Sequence, residues 1–217
     1  MMSKITLVIG NKNYSSWSLR AWLTLKQAGV DFSEVTISLG TPTTHKEIRR
    51  YSPSGRVPVL LDGDLTVWDS LAICEYAAEK FAEWLWPKNM EARAIARSLS
   101  AEMHSGFPQL RQNMPMDCHS RYPGEGRKPE VEAEIERIKT IWHQCREKYA
   151  AEGDFLFGKF TIVDAMFAPV VSRFITYGVK LESVEKTYAN SILALPAMQE
   201  WLYAAAQEAD SVTTLIF

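Results

Sequence analysis

The chain has 217 residues, 47% of them hydrophobic, with a formal net charge of -2. That length and apolar content suit one large or two small packed domains and argue against disorder, and near-balanced charge without Lys/Arg clustering argues against nucleic-acid binding. No run of about 18 apolar residues suggests a membrane span, and the short apolar stretch Ile5 to Ile9 lacks the form of a secretory signal, so a cytoplasmic protein is expected.

Lys4 to Ile9 has the pattern of a buried strand, and Gly10 to Asn13 a polar turn. A helix is predicted from about Ser16 to Ala28, with Trp17, Ala21, Trp22, Leu25 and Ala28 at helical spacing and Gly29 as its stop. Val35 to Leu39 is predicted as a second strand, giving a right-handed parallel unit with the first. Thr41 to Tyr51 is polar and suits a short helix, followed by the turn cluster Ser52-Pro53-Ser54-Gly55. Val57 to Leu61 and Leu65 to Trp68 flank Asp62-Gly63, a hairpin signal. Asp69-Ser70 offers a cap to a helix running from Leu71 to Phe81. The order is β-α-β-α-β-β-α.

Ala82 to Asn89, with Trp84, Trp86 and Pro87, has the look of a linker. From Glu91 onward the pattern is helical throughout. Helices are predicted over Glu91 to Met114, Pro129 to Ala151, Ile162 to Tyr177 and Leu195 to Glu208, with a turn-rich loop from Pro115 to Lys128. The third of these is apolar nearly all round and should be buried. The organisation is therefore an α/β unit, residues 1–81, a linker, 82–90, and an all-helical unit, 91–217.

The segment Asn13-Tyr14-Ser15-Ser16-Trp17-Ser18 sits where the first strand turns into the first helix. Helix N-termini expose unpaired N–H groups and a partial positive charge. Ser15 or Ser16 there either caps the helix or donates its hydroxyl to a bound anion such as a thiolate. Redox proteins with this topology carry Cys-x-x-Cys at the turn; here the same spacing has no thiol, so any thiol chemistry needs one brought by a ligand. The three cysteines, Cys74, Cys118 and Cys145, are widely spaced and give neither a disulfide framework nor a metal pattern. Pro58 opens a strand, the position of an edge or of a functional backbone group. Asp69-Ser70 is either a plain cap or a carboxylate site at a helix N-terminus. His104, His119 and His143 form no Ser-His-Asp set with a nucleophile elbow.

Together these segments resemble the soluble glutathione transferase family over essentially the whole chain. The resemblance rests on Val57-Pro58-Val59-Leu60, on Asp69-Ser70-Leu71-Ala72-Ile73, on Ser15-Ser16-Trp17-Ser18 and on Thr161-Ile162-Val163-Asp164-Ala165. The last is similar to the family's capping motif in its second domain and is expected to be structural. The serine turn looks most like the theta and zeta classes, although Trp17 stands where zeta members carry cysteine, which sets the isomerisation of maleylacetoacetate in doubt. The family implies a thioredoxin-like first domain with a mixed four-stranded sheet, an all-α second domain, a homodimer, glutathione as co-substrate and no metal.

The residue roles implied by the resemblance are specific. Ser15, with Tyr14 as its rival, would donate to the glutathione sulfur, with Ser16 beside it. The Val57 backbone, set by a cis Pro58, would pair with the cysteinyl part. Asp69 and Ser70 would hold the γ-glutamyl end, and Arg56, Lys46 or His45 the glycyl carboxylate. A small hydrophobic electrophile would sit between the domains against Met103, His104, Phe107 and Arg111, where the predicted continuous helix would align His104 with Arg111. The expected chemistry is attack of a glutathione thiolate on that electrophile, with the isomerase, the peroxidase and a binding module without turnover as the competing readings.

Overall fold

A computed structural model of the chain describes residues 5–208; Lys4, expected in the first strand, and the end of the helical unit lie outside them. Strand β1 (Ile5–Gly10) leads through a turn into α1 (Ser16–Gln27). Strand β2 (Ser33–Ile37) and the short helix α2 (Thr44–Ile48) follow. The hairpin β3 (Val59–Asp62) and β4 (Leu65–Val67) then runs into α3 (Ser70–Lys80). The sheet order is β2-β1-β3-β4, with β1 parallel to β2 and antiparallel to β3. This is the thioredoxin-like arrangement with a mixed sheet that the resemblance implied. β1 lies inside the sheet and is almost wholly buried, whereas edge strand β2 alternates, as each position requires. Asp62 pairs with Leu65, so the two turn residues of the hairpin are Gly63 and Asp64, with Gly63 at φ 60°. They stand one residue later than Asp62-Gly63.

The rest is helical: α4 (Met90–Ser105), α5 (Pro108–Asn113), α6 (Pro129–Tyr149), α7 (Ile162–Thr176), α8 (Ser183–Leu193) and α9 (Pro196–Gln207). Beyond β4, only isolated bridges at Phe155–Gly158 and Phe157–Lys159 interrupt it among the described residues. The helix expected over Glu91 to Met114 is two helices. Gly106 ends α4, Phe107 takes a left-handed φ of 58°, and Pro108 opens α5. Proline cannot continue the hydrogen bonding of the preceding turn but suits the first turn of a new helix. Helix α8 is an element the sequence pattern did not show.

Helix α7 is buried along its length except at Ile175, as its all-round apolar pattern required. It packs against α1, α4 and α8. Helix α1 is enclosed by α3, α7 and α9, which is why nearly every residue from Ser16 to Leu25 is buried although the expected apolar stripe covered only one side. One continuous apolar core joins Leu7, Leu19, Trp22, Ile73, Met103, Trp142, Phe167 and Trp201. The α1 turn is therefore held between the sheet and the helices.

Candidate functional site

The β1–α1 turn is fastened from several directions. Asn11 Oδ1 accepts from Leu39 N at 2.7 Å. The Glu208 carboxylate accepts from Lys12 N at 2.6 Å and from Asn13 N at 2.9 Å. Trp201 Nε1 donates to Lys12 O at 2.9 Å, and Asn13 Oδ1 accepts from His119 N at 3.0 Å. With Cys118 N donating to Asn13 O, the helical half fixes the turn that the sheet begins.

Ser15 occupies the cap position of α1 but its side chain makes no capping bond. It is 5% exposed, and its hydroxyl donates to Ser18 Oγ at 2.7 Å. Ser18 Oγ also accepts from Gly10 N at 3.1 Å, which ties the hydroxyl pair to the end of β1. Ser16 faces the other way: its Oγ accepts from Arg173 Nη2 on α7 at 3.2 Å. Tyr14 precedes them, partly exposed.

The Val57–Pro58 bond is cis. Antiparallel pairing with β1 ends at Val8 and Val59; extended by its register, Val57 would stand opposite Gly10, beside the turn. Asp69 caps α3, its Oδ1 accepting from Leu71 N and Ala72 N. Its other oxygen lies 2.9 Å from His104 Nε2 on α4. Burial opposes ionisation of Asp69, but the His104 contact and the α3 N–H groups together outweigh it and hold its pKa below the ordinary value. Ser70, 1% exposed, starts α3 with a buried hydroxyl that has no partner among the described residues. Lys46, His45 and Arg56 are exposed.

The four residues expected at the electrophile pocket separate into two kinds. Met103 and Phe107 are core side chains. His104 and Arg111 do approach each other, although on two helices rather than one face: Arg111 Nη2 folds back onto the carbonyls of Met103, His104 and Gly106. Both touch Trp17, the His104 ring edge-on at 5.2 Å and the Arg111 guanidinium 4.7 Å from the ring centre. An open groove of about 520 Å³ lies elsewhere, along Ala78, Trp84, Trp86, Arg93 and Arg97.

A family model described as the glutathione S-transferase N-terminal domain matches residues 14–80. A glutathione transferase homolog from Burkholderia GL BGR1, solved with bound glutathione, superposes with a TM-score of 0.72 at 25% identity, over 95% of this chain and 99% of that one. Residues 14–80 therefore carry a glutathione S-transferase N-terminal domain, and the chain as a whole has the fold of the glutathione transferase homolog. Among curated relatives, a dichloromethane dehalogenase of Methylorubrum extorquens is 44% identical over 54 residues, 24% of this chain and only 19% of that protein. A probable maleylacetoacetate isomerase of Caenorhabditis elegans is 27% identical over 72% of each chain.

Of the residues named from the sequence, Ser15 is tied through Ser18 to Gly10 at the end of β1, Val57 lies beside it by register, and Asp69 reaches the α1 turn through His104, whose ring meets Trp17. Arg20, Arg173, Ser18 and Glu208 join them, and sequence reasoning had assigned none of these to the site. Ser18 had a signal, its i+3 spacing from Ser15. Glu208 had none, being 196 residues from Lys12 along the chain. The chain's own thiols are unsuited to chemistry: burial pushes Cys74 and Cys145 up to about 12 and Cys118 up to about 11, so each stays protonated at neutral pH.

Proposed function

We propose that the protein is a glutathione transferase of serine type that binds glutathione along Val57, Asp69 and Ser70 and activates its thiol with Ser15. The observation that carries this reading is the Ser15 hydroxyl, enclosed at a helix N-terminus and not used as its cap. Ser70, whose buried hydroxyl at the N-terminus of α3 has no partner among the described residues, is suited to the γ-glutamyl carboxylate. Asp69, kept ionised, is suited to the γ-glutamyl ammonium, and Lys46 or Arg56 to the glycyl carboxylate. Tyr14 and Ser16 are the alternative donors; Ser16 is already engaged by Arg173.

The mechanism needs one rearrangement. The Ser15 hydroxyl turns from Ser18 to the sulfur, and the Ser18 hydroxyl then donates back to Ser15 Oγ while still accepting from Gly10. A free thiol has a pKa of about 8.5. A hydrogen bond to a charged acceptor contributes roughly 1.5–3 kcal/mol, and one pKa unit is about 1.36 kcal/mol. One such bond lowers the thiol pKa by about one to two units, and the α1 N-terminus adds about 0.3–1 kcal/mol. Thiolate then predominates near pH 7 and attacks an electrophilic carbon, with Ser15 remaining a donor.

A second reading, a glutathione-dependent isomerase, is favoured by the length of the match to the worm protein and opposed by Trp17. We further propose the division 1–81, 82–90 and 91–217, a cytoplasmic location and a homodimer, which light scattering would test. The deciding experiment is the ultraviolet difference spectrum of bound glutathione against pH. A thiolate band persisting about one to two units below the free thiol pKa, and moving back in Ser15→Ala, supports the reading. Movement in Tyr14→Phe instead assigns the donor to Tyr14, and bound glutathione without the band removes the catalytic reading.

A further inference from the structure

Arg20, Arg111 and Arg173 come from three helices, α1, α5 and α7, and meet around the first turn of α1. The guanidiniums of Arg20 and Arg111 lie 4.4 and 4.7 Å from the Trp17 ring centre. Arg173 reaches Ser16, the residue before it. Arg20 and Arg173 are each 1% exposed. None of the three has an ion-pair partner among the described residues. Their hydrogen bonds run to neutral groups: Arg173 Nε to Met114 O at 2.9 Å, and Arg111 to the carbonyls at the end of α4. Arg20 Nε and Nη1, Arg111 Nε and Arg173 Nη1 are buried with no partner among the described residues.

Carbonyl dipoles and an indole face offset part of a guanidinium charge but do not neutralise it. Arginine cannot shed its proton under ordinary conditions. Burial, followed by repulsion from neighbouring guanidiniums, lowers the pKa of Arg20 and of Arg173, the latter to about 10, the mark of cations held close together without a counter-charge. Cys74, the neighbour of Arg20, is protonated and supplies no counter-charge. Asp69 faces Arg20 from α3 but is half exposed and already engaged by α3 and His104. Buried like charges left without a counter-ion are costly, and such departures from good packing are expected at functional sites.

We propose that Arg20, Arg111 and Arg173 form an anion-binding subsite beside the Ser15 turn that takes a carboxylate, sulfonate or sulfate group. The planar guanidinium fork matches two oxygens of such a group. The group has two sources, a carboxylate of glutathione or an acidic substituent of the second substrate. The subsite itself does not rest on the transferase reading, because its anion affinity is measured without glutathione.

The test is calorimetric titration of the full chain with benzenesulfonate and with sodium sulfate in low-chloride buffer, with and without saturating S-methylglutathione. One anion per chain is expected, with affinity at least tenfold weaker in Arg20→Met and in Arg111→Met. Without added anion, Arg20→Met is expected to melt at a higher temperature than the parent. Binding that persists beside S-methylglutathione supports the subsite and assigns it to the second substrate; binding it displaces supports the subsite and assigns it to glutathione. Should Arg20→Met fail to fold, Arg111→Lys, which keeps the charge and loses the fork, carries the test with at least threefold weaker binding expected. No binding by the parent, or equal affinity in the folded variants, overturns the proposal.

Discussion

Two helix N-termini in this protein carry the same kinds of residue and use them differently. At α7 the Asp164 carboxylate is fully buried and reaches back to Thr161 N at 2.7 Å, to Thr161 Oγ1 at 3.0 Å and to Leu156 N at 3.1 Å. At α1 the cap residue Ser15 leaves the helix N–H groups alone and turns its hydroxyl to Ser18. The first terminus is closed on itself and holds the helical half together. The second is left open where a ligand can complete it. A hydroxyl or carboxylate at a helix start therefore does not announce its role; what decides is whether it is taken up by backbone N–H groups, as Asp164 is by those of Thr161 and Leu156 and Ser15 is not.

The largest way to break this contrast is at Asp164. Asp164→Ala leaves Thr161 N and Leu156 N buried without an acceptor, and a loss of about 3 kcal/mol of stability is expected in denaturant titration at pH 5. The same residue sharpens the contrast through pH. Burial raises its folded pKa to about 6 against the pull of its N–H donors, above an unfolded value of about 3.9. Its stabilisation is then full below about pH 4 and lost as pH rises through 6, a change of up to about 3 kcal/mol. Calorimetry from pH 4 to 7 should show that decline in the parent and a flatter profile in Asp164→Asn.

At the open terminus the effects move from stability to turnover. Ser15→Ala is expected to lower kcat/KM roughly 10- to 150-fold, the equivalent of one charged hydrogen bond, with little change in melting temperature because no cap is lost. A melting point that fell while turnover held would make Ser15 a cap after all. Ser18→Ala should act in the same direction by about tenfold or less, since it removes the support of the donor and not the donor. The smallest effect is expected from His104→Gln. With its imidazole gone, the Asp69 pKa should rise toward the ordinary value of about 3.9, and the KM for glutathione should increase a few-fold only below about pH 4, with kcat unchanged.

How legible the molecule was in its sequence differs in the same way between regions. The α/β half followed from short apolar runs, a hairpin dipeptide placed one residue early and the Asp69 cap, all local signals. The break at Gly106-Phe107-Pro108 was also written locally, yet apolar spacing on either side suggested one helix across it. Helix α8 buries Glu185, Tyr188, Ala189 and Ile192 at i, i+3, i+4 and i+7, but a charged residue on the inner face hides that stripe; Glu185 is there because His143 meets it at 2.7 Å. At the site, the serine turn, cis Pro58 segment and Asp69-Ser70 were visible as residue types. Arg111 was named there too, but Arg20 and Arg173 were not, because arginine in sequence suggests solvent, and only the packing of the helices puts these two inside.

The bond from Glu208 to the Lys12–Asn13 backbone ties the timing of assembly to the order of synthesis. The turn leaves the ribosome early, and its acceptor is made 196 residues later. At about 5–20 residues per second, the turn waits roughly 10 to 40 seconds for that carboxylate. A nascent chain can thus form its sheet well before it can complete this turn, and cotranslational capture of ligand at the turn waits until Glu208 has been made.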